Sequence, residues 1–392
     1  MVTTTPDGSA ESGETGPLRG IRVLDMSALG PGPFCSMLLA DFGAEVIAVE
    51  RPNPPSFDPA SFFSRGKRSA VVDLRAPGGA EVITRLAEHA DVLLESNRPG
   101  TMERRGLGPE VLHERNPGLI YTRLTGWGQD GPYRDRPGHD INYIGIAGAL
   151  GVLASPDNDA PVPPLAMLGD IAGGALLAAF GITMALLERA ATGRGQVIDA
   201  AIVDGAALLN TPQLGEFNAG IWAGRGRHIL SGAAPFYGVY ECADGGHFAV
   251  GAIEPKFYTE FLGALGLDDV TVADQLKPAH WPALRSRVAD IFRGKPRAHW
   301  TAVFADIEGC GTPVLELSEL AQDQHLRDRG TVRELDGRLA AGPVPRLSAS
   351  PGRTRPGPAR AGADTRAVLA EAGFTNAEIA ALAAGRTIHL AD

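Results

Sequence analysis

The stretch "GIRVLDMSALGPGPFCSMLLADFGAEVIAVE", residues 20–50, decides the fold class. "GIRVLDMS" carries the apolar, β-branched run of a buried strand, "CSMLLADFG" has helical spacing, and "AEVIAVE" returns to strand pattern and ends at Glu50. Strand, helix and strand in thirty residues make a β-α-β unit. The alternation continues outward: "KRSAVVDLR" (67–75), helical "GGAEVITRLAEHA" (78–90), "ADVLLES" (90–96), and "GLIYTRLTGWG" (118–128), a strand running into a glycine loop. Such alternation predicts an α/β protein with a Rossmann-like, doubly wound parallel sheet, in which ligands sit beyond the carboxyl ends of the strands.

The same style runs through "GRGQVIDAAIVDGAALLN" (193–210), so the large domain is expected over residues 17–213, with a linker at 214–225. From residue 226 the texture changes. "GRHILSGAAPFYGVYECADGGHFAVGA" (226–252) places aromatic and β-branched residues around a "DGG" turn, predicting an antiparallel hairpin in a smaller α+β domain at 226–330. Residues 340–360 hold prolines 343, 345, 351, 356 and 358 with four arginines and should run extended as a linker or wrapping arm. Within 331–392, "DTRAVLAEAG" and "TNAEIAALAAG" then read as helices returning to the large domain, Thr375 and Glu378 having capping-box spacing. Residues 1–16 read as a polar, acidic, disordered tail without signal-peptide character.

Composition narrows the function. The 36 basic and 46 acidic residues leave a net charge of −10, which argues against a nucleic-acid or lipid-surface partner. Three widely separated cysteines, Cys35, Cys242 and Cys310, form neither a CxxC pair nor a disulfide framework and suggest the reducing cytoplasm. The apolar stretch at 171–187 sits at the short edge of a membrane span and, being rich in glycine and alanine, reads as a buried helix.

Several familiar sites are absent or incomplete. "GPGPFC" lacks the third glycine of a dinucleotide fingerprint, and Pro31 and Pro33 offer no backbone N–H to a pyrophosphate. No HExxH, paired-cysteine or GxSxG pattern supports a metal site or a serine hydrolase. Basic residues do gather where strands should end: Arg51, Arg65, Lys67, Arg68, Arg75, Arg98 and Arg104. Such a set serves equally as a solvated rim or as forks for separated phosphates. Asp170, directly before an apolar helix starting at Ile171, suits an N-cap and equally a carboxylate among free N–H groups. His139, beside Asp140 in "GHDINY", reads as a surface residue, a ligand or a base, with Asp140 as a helix cap.

A resemblance weighs these alternatives. "GWGQDGPYRDRPGHDINY" (126–143) and "PVPPLAMLGDIAGGALLAAFGITMALLERAATGRGQVIDAAIVDG" (161–205), with "GAIEPKFY" (251–258), resemble the family III CoA-transferase superfamily and, within it, the α-methylacyl-CoA racemase subgroup. The resemblance implies a racemase that inverts the α-carbon of 2-methyl-branched acyl-CoA thioesters by two-base proton transfer through an enolate. His139 and Asp170 would be the opposed bases, Glu254 would orient the imidazole, and N–H groups of the helix from Ile171 would face the enolate oxygen. It also implies CoA contacts at Arg51, Val72, Asp73, Leu74, Arg75, Ser96, Asn97, Arg98, Arg104, Gly138, Asp140, Ile141, Asn142 and Tyr143. No cofactor or metal is expected, CoA being part of the substrate, and an interlocked homodimer is the implied assembly. The alternative is a family III CoA transferase with Asp170 as the acyl-carrying nucleophile. One departure stands out: Ala166 occupies a position where racemases commonly carry asparagine.

Overall fold

The computed structural model describes residues 16–28, 30–52, 62–335, 337–358 and 360–391; the acidic tail of the sequence reading lies almost wholly outside them. Six strands, β1 (Arg22–Met26), β2 (Glu45–Glu50), β3 (Lys67–Val72), β4 (Val92–Glu95), β5 (Ile120–Thr125) and β6 (Val197–Ala201), lie parallel. Their order is β3-β2-β1-β4-β5-β6, so the winding reverses between β1 and β4, where doubly wound sheets bind ligands. β1 and β4 are buried almost throughout because parallel strands are covered on both faces. Helices α1 (Pro31–Asp41) and α2 (Gly79–Glu88) supply part of that cover. α2 turns Val82, Ile83, Leu86 and Ala87 inward, and each large aliphatic so buried contributes about 1.5–3 kcal/mol.

The chain divides into two compact units, and their boundaries differ from those read in the sequence. The first comprises residues 1–140, 167–205 and 330–392; the second comprises 141–166 and 206–329. The segment 141–166, expected in the large domain, thus belongs to the second unit. So does 206–225: residues 206–213 were expected in the large domain, and the helix Thr211–Asn218 runs into the start of the expected linker 214–225. Periodicity reports local structure, and nothing in it says with which layer a helix packs.

In the second unit, β7 (Tyr237–Glu241), β8 (His247–Gly251) and β9 (Gly311–Val314) form an antiparallel sheet, the first two joined through the expected "DGG" turn. Its core is aromatic, with Phe248, Trp300 and Phe304 gathered around Phe292.

The C-terminal region belongs to the first unit. A hairpin of β10 (Val332–Leu335) and β11 (Arg338–Ala341) precedes the proline-rich arm. Helices Thr365–Glu371 and Asn376–Ala384 follow, the second closed by the Thr375–Glu378 capping box. The chain ends by pairing β12 (Ile388–His389) antiparallel with β3, giving the sheet its seventh strand.

The long apolar helix Met167–Thr192 departs from expectation in burial. Only 33% of its most apolar window is buried within this chain, and Leu176, Phe180, Met184 and Leu187 stand exposed along one face.

Candidate active site

A cleft of about 880 Å³ opens in the first unit over the carboxyl ends of β1 to β4. Six of the expected CoA contacts line it: Arg51 after β2, Val72, Asp73, Leu74 and Arg75 at the end of β3, and Asn97 after β4. Asn97 is held there by its own backbone N–H, which donates to Glu95 Oε2 at 2.6 Å. Burial pushes the Glu95 carboxyl up to about 7.

Ser96, Arg98 and Arg104 are not among the lining residues. The Arg104 guanidinium turns aside to donate to Thr101 Oγ1 at 3.1 Å, and Arg105 takes its place at the cleft. Adjacent residues of the tight Glu103–Arg105 turn point in different directions, and "ERR" alone does not say which arginine faces inward. Arg360, from the C-terminal arm, also lines the cleft. Its presence depends on a contact across the whole length of the chain and left no local signal.

Three of the basic residues gathered by sequence are structural. Arg65 clasps Asp41 through two hydrogen bonds, and Arg68 bridges Glu45 and Glu371. Lys67 is buried, its Nζ donating to Asp25 Oδ2 at 3.1 Å and to the Pro33 carbonyl at 2.9 Å. Asp25 in turn accepts from the Ser36 and Ser27 hydroxyls and from the Ser27 N–H. This buried network ties the first turn of α1 to the sheet, and deleting either charge from such a pair costs about 3–5 kcal/mol.

That first turn leads to Asp170. Gly30 precedes α1 with φ 57°, and a Cβ placed on it would lie 3.4 Å from Asp170 Oδ2. A glycine here allows the left-handed backbone next to the carboxylate. Burial first, and then the charge of Asp140, push the Asp170 carboxyl up to about 6 against the opposing pull of His139. His139 is thus near enough for its charge to be felt at Asp170, while its own side chain is largely exposed.

Asp170 is not an N-cap, nor is Asp140. The helix begins at Met167, and its first ten residues, Met167–Leu176, are a π-helix that continues into the α-helix Leu177–Thr192. Asp170 therefore lies within the first turn, and its N–H donates to Asp140 Oδ1 at 2.7 Å. Asp140 opens the helix Asp140–Ile146, and its buried carboxylate holds the Asp170 backbone. The N–H groups expected from the helix at Ile171 accordingly shift to the turn starting at Met167. Glycine contacts brace the widened turn, since a Cβ on Gly205 would meet the Gly173 carbonyl oxygen at 1.9 Å. π-Helical turns of this kind concentrate at functional sites.

Gly138 is half-buried next to His139; Ile141, Asn142 and Tyr143 follow in the second unit, the first two exposed. Glu254 also lies in the second unit, where it precedes the helix Pro255–Ala264 with its side chain exposed. Just ahead of the π-helix, Leu165 and Ala166 adopt φ of 53° and 61°, a left-handed pair without a glycine.

Fold and site together define a doubly wound α/β protein with an arginine-lined strand-end cleft and a carboxylate–imidazole pair reached through the start of α1. The chain belongs to CoA-transferase family III, whose model matches residues 18–365. It is 42% identical to the α-methylacyl-CoA racemase of Mus musculus, covering 95% of this chain and 97% of that one. It is 44% identical to the α-methylacyl-CoA racemase of Homo sapiens, covering 92% and 95%. Among solved structures, a CAIB/BAIF family protein from Brucella suis superposes with a TM-score of 0.80 at 26% identity, over 91% of this chain and all of that one.

Proposed function

We propose that the protein is a racemase of 2-methyl-branched acyl-CoA thioesters, working without metal or cofactor. The observation that carries this reading is the Asp170–His139 pair, a carboxyl raised to about 6 with an imidazole close enough to bias it, in the same unit as an arginine-lined cleft. Inversion at a carbon next to a thioester needs a base on one face and an acid on the other. One member of the pair removes the α-proton, the C–H electrons move into the enolate, and the other member returns a proton to the opposite face. The exchange balances with no co-reactant. A carboxyl near 6 can act as base when ionised and as acid when protonated near neutral pH.

Identity to the mouse and human racemases over nearly the whole chain supports the substrate class. In this reading the cleft arginines hold the phosphates of CoA, and Glu254 orients His139 from a second copy of the chain. The exposed face of Leu176, Phe180, Met184 and Leu187 supports a homodimer, since a free apolar stripe of that length favours association.

Incubating each pure epimer of a 2-methylacyl-CoA with enzyme in deuterium oxide tests the reaction. Wild-type protein should place deuterium at the α-carbon of both. Inversion should fall about a hundred- to ten-thousandfold in both His139→Ala and Asp170→Ala. Exchange without inversion should survive for one epimer in the first variant and for the other epimer in the second. Normal exchange of both epimers by His139→Ala would remove the histidine from the mechanism. A hydroxylamine-trapped acyl adduct on Asp170 would instead make the protein a transferase.

A further inference from the structure

Four guanidinium groups, those of Arg51, Arg75, Arg105 and Arg360, line the cleft, and among the described residues none of these side chains has a hydrogen-bond or ion-pair partner. Five arginines of the same unit, Arg22, Arg65, Arg68, Arg85 and Arg189, instead face carboxylates. The acids that line the cleft are already engaged. Asp25 is held by Lys67, Glu50 accepts from the Ser69 hydroxyl, and Asp73 accepts the Arg75 N–H.

Arg360 reaches the cleft because the arm is pinned on both sides of it. Upstream, Arg355 Nη2 donates to the carbonyls of Ala40 and Ala44, and the Pro356 carbonyl accepts from the Gly66 N–H at 3.1 Å. Gly357 lies so close to Ser64 that a Cβ on it would sit 2.8 Å from the Ser64 carbonyl oxygen. Downstream, the Gly362 N–H donates to Ser69 Oγ at 2.7 Å, and Asp364 exchanges two backbone-directed bonds with Ser69. Pro358, Arg360 and Ala361, between these anchors, form part of the cleft wall.

We propose that the C-terminal arm is a component of the CoA site, with Arg360 and Arg105 together binding a phosphate group of the CoA nucleotide. This rests on the acyl-CoA reading above and assigns to it a residue more than 250 positions downstream of the other cleft arginines. Two planar forks on the wall of one cleft can match the oxygens of a phosphate bidentately, which a lone solvated arginine does not. The hydrogen bonds on both sides fix the flanking residues without a ligand, so binding loses little to ordering them.

Equilibrium binding of CoA and of 3′-dephospho-CoA to the full-length protein, at one ionic strength, tests the assignment. Arg360→Ala should weaken CoA binding about ten- to a hundredfold without changing the thermal unfolding midpoint. Arg360→Lys, which keeps the charge and loses the fork, should recover only part of that loss. Arg366→Ala, on the exposed start of the next helix, should change nothing. A deficit seen with CoA and absent with 3′-dephospho-CoA assigns the 3′-phosphate to the pair; equal deficits assign the diphosphate. Unaltered CoA affinity in Arg360→Ala, with wild-type protein binding normally, overturns the role of the arm alone. Failure of wild-type protein to bind CoA overturns the acyl-CoA reading itself.

Discussion

The second unit and the cleft of the first unit use arginine in opposite ways. In the second unit, Arg285, Arg287 and Arg297 each place both terminal nitrogens on one carboxylate, those of Asp157, Asp269 and Glu319. In the first, the sheet's carboxyl edge gathers Arg51, Arg75, Arg105 and Arg360 into one cleft and gives none of them an acid. A paired guanidinium is a finished structural element, whereas an unpaired set converging on one concavity repels itself until an anion arrives. What separates the two populations is the presence of an opposing carboxylate, a property of the fold that the identity of the residue does not carry.

Breaking one member of each population is the sharpest test of that contrast. Arg51→Ala should raise KM for an acyl-CoA by a factor corresponding to about 1.5–3 kcal/mol, with kcat little changed, because the lost contact holds substrate and transition state alike. Arg287→Ala should leave KM where it was. Equal kinetics in the two variants would erase the distinction between the units.

The second test concerns the proton pair that the cleft serves. The active pair carries a single proton, so acidifying through the Asp170 carboxyl adds a second and removes the base. kcat/KM should fall about tenfold per pH unit below about 6, and by the same factor for both epimers, since their ratio is fixed by an equilibrium that does not involve solvent protons. A profile flat down to pH 5 would show that Asp170 does not titrate where its burial places it. The sign for stability is the reverse. The folded state holds this proton more tightly than the unfolded chain does, so the contribution of Asp170 to stability declines as pH rises from its ordinary value of 3.8 towards 6.

The smallest effect is expected at the left-handed pair before the π-helix. Asparagine tolerates positive φ better than alanine, so Ala166→Asn should stabilise the protein by up to about 1 kcal/mol, read as a higher unfolding midpoint. A lowered midpoint would mean that the site has no room for the amide.

Much of this was legible before the fold. Strands β1 to β6 follow from apolar runs separated by helical periodicity, and the carboxyl-end rule puts Arg51, Arg75 and Asn97 at one edge of the sheet. The capping box at Thr375 and Glu378 is equally local, three residues apart on one turn. The caps assigned to Asp140 and Asp170 failed for an instructive reason. An aspartate before an apolar run signals a helix start, but the helix began three residues earlier, and the carboxylate of Asp140 was committed to the Asp170 N–H thirty residues away.

Sequence by itself therefore determined the strand and helix pattern and the doubly wound class, because propensity and periodicity act over a few residues, while His139 and Asp170 were singled out as a pair only through the family resemblance. Tertiary structure alone decided which arginines face the cleft, that Lys67 is buried on Asp25 while Arg360 is left open, and that Asp170 lies in a widened turn beside Gly30. Those properties are set by which distant groups arrive within hydrogen-bonding reach and by how much water they exclude. The charge state of a carboxyl and the availability of a guanidinium both depend on those neighbours.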